Sequence, residues 1–168
     1  RRGGLLDTLE AEDIQALLMF LIAPFADLQM AQVLRSPVFS CSDNDLMQLA
    51  SLQLDAVVDQ AASVEIIETP DMFNEPIPHF RKGGPGGILN WWARLKHLAE
   101  TSNISPALSR AHTLLQDWLS RADKLPVHDL LDHIYFSADV PHRYAAALPE
   151  AMRATVQANL QALLEVAL

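Results

Sequence analysis

Few residues in this chain could do chemistry, and they gather in three places. His128-Asp129 and Asp132-His133 stand at i, i+1, i+4 and i+5, a spacing that lets Asp129 and His133 share one face of a helix. Zinc asks for three or four ligands in tetrahedral array, and no HExxH pair or cysteine cluster completes this set. The pattern reads as a solvated helix face with local ion pairing. A small metalloenzyme built on it is the least favoured of three functional readings. The second place is Gly83-Gly84-Pro85-Gly86-Gly87, preceded by Arg81 and Lys82. A nucleotide-binding loop needs Gly-x-x-x-x-Gly-Lys and then Ser or Thr, so that backbone amides and a lysine cradle phosphate. Here Ile88 and Leu89 follow instead, which favours a surface loop with solvated charges over a phosphate nest. The third is Cys41, the single cysteine. It lies near a helix start but has no basic neighbour in sequence to stabilise a thiolate, so it reads as a half-buried structural thiol. No catalytic, cofactor-binding or metal-binding residue is assigned.

Binding is the remaining possibility. Arg81, Lys82, Arg94 and Lys96, with Trp91 and Trp92 among them, make the densest basic and aromatic neighbourhood. They are the candidate contacts to DNA phosphate. The tryptophans, Trp118 included, could stack on bases, but their helical spacing favours the core. The net charge of −9 opposes strong binding to nucleic acid by this chain alone, because phosphate contacts supply most of such affinity.

The elements that must position these residues are helical. Ile14, Leu17, Leu18 and Leu21 recur at i, i+3, i+4 and i+7, and Pro24 ends that run. Leu28, Ala31, Val33 and Leu34 give a second, short helix that stops before Pro37. Ser42-Asp43-Asn44-Asp45 resembles a capping box with Asp in place of Glu, opening a third helix through Leu46, Leu49, Ala50 and Val57. Between the second and third lies a sharp corner, Arg35-Ser36-Pro37, with Val38 and Phe39 wedged beneath it. Ser36 is placed to cap, and Arg35 to hold the last carbonyls or a nearby acid. The pattern then breaks over 63–88, a proline- and glycine-rich loop in which "SVEII" could be extended. Helices resume with Trp92, Leu95, Leu98 and Ala99, then with Ser105-Pro106 capping Leu108, Ala111, Leu115, Trp118 and Leu119. Pro126 opens one with Val127, Leu130, Leu131 and Ile134. Pro149 opens the last, with Met152, Val156, Leu160, Leu163 and Leu164.

The expected fold is all-α, one domain over 1–168 with roughly seven helices round one core. At 168 residues, 50% hydrophobic and 20% charged, the chain is long enough for a real core and too apolar for disorder. No apolar run reaches the length of a membrane span, and a lone cysteine agrees with a reducing compartment. The opening Arg1-Arg2-Gly3-Gly4 and the closing "LLEVAL", inside an apolar helical pattern, suggest a piece excised from a longer polypeptide.

The run "IQALLMFLIAPFADLQMAQVLRSPVFSCSDNDLMQLA", from Ile14 to Ala50, resembles the start of the accessory subdomain called 2B in bacterial UvrD/RecB-type helicases. The matching positions are Leu17, Leu18, Leu21, Pro24, Asp27, Leu34-Arg35-Ser36-Pro37, Phe39, Ser42-Asp43 and Asp45-Leu46. Downstream, "ILNWWARLKHLAE" and the segment from Leu125 to Ala167 are similar to that family too, with Asn159-Leu160 and Leu163-Leu164 in place and a short irregular turn before them. The likeness is closest to the RecB and AddA helicase–nuclease subunits. It implies a non-catalytic module of an ATP-dependent helicase, and possible exonuclease, of double-strand break repair and recombination. Arg35, Ser36 and Pro37 would form a structural hinge. Double-stranded DNA, other domains of the same helicase and a partner subunit would be its contacts, in the bacterial cytoplasm. ATP and Mg would belong to the parent chain, since none of the family's motifs for them matches here. The alternative is an independent helical protein–protein interaction module.

Overall fold

The computed structural model describes residues 4–62, 90–101 and 103–168, and of 53–62 the backbone alone. The 63–88 loop, with its extended "SVEII", therefore lies outside the described residues, as do the side chain of Val57 and both Arg81 and Lys82. Among the described residues there are eight α-helices, one short 3-10 turn (Leu5–Asp7) and no strand. The helices are α1 (Leu9–Ile22), α2 (Asp27–Arg35), α3 (Asp43–Ala62), α4 (Trp91–Ala99), α5 (Pro106–Ala122), α6 (Val127–Ser137), α7 (Val140–Ala147) and α8 (Glu150–Val166).

Local chemistry sets most of the helix starts. Thr8, Asn90 and Ser105 each accept a hydrogen bond from the backbone N–H three residues on, satisfying donors that the first turn leaves without partners. Ser42 and Asp45 make a reciprocal box: the Ser42 amide donates to Asp45 Oδ2 at 2.9 Å, and the Asp45 amide donates to Ser42 Oγ at 3.2 Å. Asp thus does the work usually given to Glu.

The apolar stripe of α1 is the centre of assembly. Ile14, Leu17, Phe20 and Leu21 are buried, and the helix packs against α2, α5 and α8. Helices α6 and α7 close the other side through α5 and α8. Phe39 and Trp118 are both buried, with ring centroids 5.7 Å apart. Polar groups taken into this interior are paired. Tyr135 donates to the Leu160 carbonyl at 2.8 Å, Asn159 donates to the buried Glu10 at 2.6 Å, and Tyr144 donates to Asp13 Oδ2 at 2.6 Å. No buried side-chain nitrogen or oxygen among the described residues lacks a partner.

The structure corrects the sequence reading in two respects. Leu28, expected in the core, is 78% exposed. The buried residues of α2 are Met30, Val33 and Leu34, and Leu28 stands about 200° round the helix from Met30. Val127, Met152 and Ala50 also face outward rather than into the core. The second correction is α7, where the sequence suggested an irregular turn. This helix is entered through Asp139 in the left-handed region (φ 53°) and has a proline in its first turn. Only Val140 and Tyr144 are buried on it, too few points to declare a period.

Asp13 gives this packing a dependence on pH. Desolvation by burial raises its carboxyl above the ordinary carboxylate range, against the hydrogen bonds from Tyr144 and Gln32 that lower it. A folded pKa above the unfolded value means that its contribution is fully present in acid and is lost as pH rises through the folded value. Asp13→Asn removes that titration. Urea unfolding at pH 4 and pH 7 should show the variant gaining stability relative to the parent at the higher pH. A difference between the two proteins that stays constant with pH would contradict this.

Candidate functional site

In the corner between α2 and α3 every backbone amide from Ser36 to Ser42 has an acceptor, Pro37 having no amide hydrogen to place. The Ser36 amide closes α2 on the Gln32 and Val33 carbonyls, and the Phe39 and Ser40 amides both donate to the Ser36 carbonyl. The Cys41 amide donates back to the Leu34 carbonyl at 2.8 Å. Ser36, itself buried, caps as its position suggested: its hydroxyl donates to the Val33 carbonyl at 2.6 Å and accepts from the Val38 amide at 3.2 Å. Pro37 supplies the residue with no donor to satisfy. Val38 and Phe39 are buried beneath, as expected. Ser40 takes a left-handed conformation with φ 51°, an arrangement that costs a non-glycine residue about 1 kcal/mol or more and needs support from its surroundings.

That support comes from two arginines far along the chain. Arg143 Nε donates to the Pro37 carbonyl at 2.7 Å. Arg110 donates through one terminal nitrogen to the Val38 carbonyl at 2.6 Å, and through the other to the Ala138 carbonyl at 2.8 Å. Its guanidinium also lies 5.7 Å from the centre of the Phe39 ring. Burial, and then the charge of Arg143, lower the Arg110 pKa, but an arginine stays protonated under ordinary conditions. The sequence reading did not find either residue. The available signal was position: Arg110 directly precedes the buried Ala111 and Arg143 the buried Tyr144, so each sits on the flank of an inward-facing stripe.

Arg35 behaves differently. It reaches Asp43 at 3.0 Å, but both side chains are largely exposed. The pair spans the corner on its wet side, where ion pairs contribute little. Cys41 is buried, and its thiol is pushed up to about 12 by burial and the charge of Asp45. It is a structural thiol.

The basic and aromatic neighbourhood divides. Arg94 is 4% exposed and donates toward the Leu49 carbonyl at 3.4 Å, so it faces α3 and not solvent. Its assignment as a phosphate contact is corrected on that ground. Lys96 is exposed, with its ammonium 5.7 Å from the centre of the Trp92 ring. Trp92 is 8% exposed and committed to the core, edge-on to Phe20 and stacked on His112 at 5.7 Å. Trp91 is half-buried, and its amide donates to Asp27 at 2.9 Å. Of the four basic residues assigned to DNA, Lys96 alone is described and exposed.

The two histidines of the suspected metal cluster point to different partners. His128 Nδ1 meets the Leu164 carbonyl at 2.8 Å, and His133 Nε2 meets Asp117 Oδ2 at 2.7 Å. His133 and then Arg121 hold the Asp117 carboxyl below its ordinary value. Among the described residues no three His, Cys, Asp or Glu side chains are grouped to hold a metal ion. No protein-family model matches this chain, and no curated protein matches it.

The corner predicts an ordering of stabilities. Arg35→Ala removes an exposed pair and should cost less than about 1 kcal/mol. Arg110→Ala strands two carbonyls on buried residues, at roughly 1–3 kcal/mol each. Urea unfolding of the two variants decides the matter. Equal losses would mean that Arg110 does not hold the corner.

Proposed function

We propose that this chain is a non-catalytic accessory subdomain of an ATP-dependent DNA helicase of the UvrD/RecB type, from a helicase–nuclease subunit of double-strand break repair and recombination. The observation that carries the reading is the corner itself. "LRSP" with its aromatic residue belongs to the run that resembles that family, and it is also where hydrogen bonds from three separate parts of the chain converge. A subdomain that leans on duplex ahead of a motor must keep a fixed angle to it. A corner whose backbone amides are all engaged serves that need. The motor would supply ATP and Mg, and this piece would touch double-stranded DNA, the other helicase domains and a partner subunit in the bacterial cytoplasm. Among the described residues no helix is long and apolar enough to cross a membrane.

One observation favours the alternative, an independent protein–protein interaction module. Met19, Ile22, Phe25 and Leu28 are each more than half exposed and fall at intervals of three through the end of α1 and the start of α2. Brought together on one face, such side chains would suit contact with another protein. They would serve a partner subunit equally well.

Three measurements test the proposal, and the first separates it from the alternative. The coding sequence around this segment should carry a Walker A motif upstream and an arginine-bearing helicase motif downstream in the same frame. A frame without them removes the helicase reading. Calorimetry of the 168-residue chain with ATP should show no saturable binding at micromolar levels, and duplex binding should be weak and salt-sensitive. Micromolar nucleotide binding would be incompatible with an accessory role.

A further inference from the structure

The arginines that hold the corner have a second consequence. Beside it is an open groove of about 320 Å³ lined by Ser40, His142, Arg143, Ala146 and Ala147. Arg143 engages the Pro37 carbonyl through Nε, while its two terminal nitrogens make no hydrogen bond among the described residues. No described carboxylate pairs with Arg143 or Arg110, and none lines the groove. Asp139, whose charge reaches Arg110, is not among the lining residues. Ser40 is exposed, and its hydroxyl makes only a long 3.5 Å contact to the Pro37 carbonyl. His142 is exposed beside it.

We infer that this groove binds a phosphate group, with the terminal nitrogens of Arg143 donating two hydrogen bonds and Ser40 Oγ and the His142 ring supplying the others. The guanidinium fork matches two phosphate oxygens. Its Nε is already fixed to the Pro37 carbonyl, so little freedom remains to be lost on binding. Arg110 adds positive charge from behind the same corner, where its own donors are occupied by Val38 and Ala138. The alanines leave the rim low, so the phosphate of an extended polymer can reach the fork as well as a free ion can. An acidic chain thus carries one local site for an anion, formed by residues its charge total conceals. The inference rests on the groove and stands apart from the helicase reading.

The test titrates inorganic phosphate into the 168-residue chain, against sodium chloride at equal ionic strength, and follows the amide resonances of Ser40 and His142. Saturable shifts with phosphate and none with chloride are expected. Arg143→Ala also frees the Pro37 carbonyl and can unfold the corner, so the decisive variant is Ala146→Glu. It places a carboxylate on the rim at an exposed helical position. It should weaken phosphate binding at least tenfold with an unchanged circular dichroism spectrum and melting temperature. Equal binding by Ala146→Glu and the parent, an equal response to chloride, or shifts confined to other parts of the chain would each overturn the proposal. A short DNA duplex that displaces phosphate from the groove identifies backbone phosphate as the source. A duplex that leaves those resonances unmoved, while phosphate still binds, identifies a free phosphate compound and removes this DNA contact from the helicase reading alone.

Discussion

One guanidinium ties together the two places where the chain turns against its own preference. Arg110 donates to Val38 and to Ala138, and these residues lie just before Ser40 and Asp139, which are the non-glycine residues with positive φ among those described. Each left-handed residue is locally unfavourable. Each is kept because the carbonyls near it accept from a charged donor that is stronger than a neutral one. The exit from α2 and the entry to α7 are therefore held by the same side chain. Relaxing either turn would cost a hydrogen bond to the same guanidinium.

The consequence runs through the rest of the core. Phe39 is placed by the corner, and it lies against Arg110 and Trp118. Trp118 donates to Ser137 Oγ at 2.9 Å, and Ser137 donates to the His133 carbonyl at 2.7 Å. His133 in turn meets Asp117, one residue before Trp118. A chain of contacts thus joins α5 to the last turn of α6, next to Ala138. On the opposite flank Tyr144 of α7 donates to Asp13 of α1, which also accepts from Gln32 of α2 at 3.2 Å. The corner is held by contacts from helices distant in sequence. It is a product of tertiary structure more than of its own turn residues.

This explains what could be read from the amino-acid sequence and what could not. The core stripes of α1, α5 and α8 were legible because they run over several turns, where a period of 3.6 repeats enough to be recognised. The box at Ser42 and Asp45 and the cap at Ser105 were legible because both partners lie within three residues. Helix α7 was not, since eight residues with two buried positions hold no repeat. Leu28 was misplaced because α2 spans only nine residues, where two registers of apolar residues fit the spacing and the packing against α1 and α4 chooses. Arg94 was misplaced because charge alone suggests solvent, and nothing in the spacing tells that the carbonyl of Leu49 lies in reach. Ser36 and Pro37 are legible as turn residues, but the arginines that donate to the corner lie 72 and 106 residues away from the carbonyls they serve. Contacts at such separations leave no local pattern.

The choice of arginine for these positions follows from geometry. A lysine offers a single ammonium on a flexible stem, whereas the guanidinium presents five N–H donors in a fixed plane. The planar fork reaches two carbonyls belonging to different turns through separate nitrogens, as Arg110 does, or holds one carbonyl with Nε while keeping its terminal nitrogens for another acceptor, as Arg143 does. Carbonyls satisfy hydrogen bonds without cancelling charge. Two guanidinium charges therefore persist beside the corner of a chain whose total is −9. Among the described residues most acids are exposed, whereas these two cations are drawn inward by backbone that needs donors. A bond made for structural reasons thus leaves an electrostatic feature that the composition of the chain does not suggest.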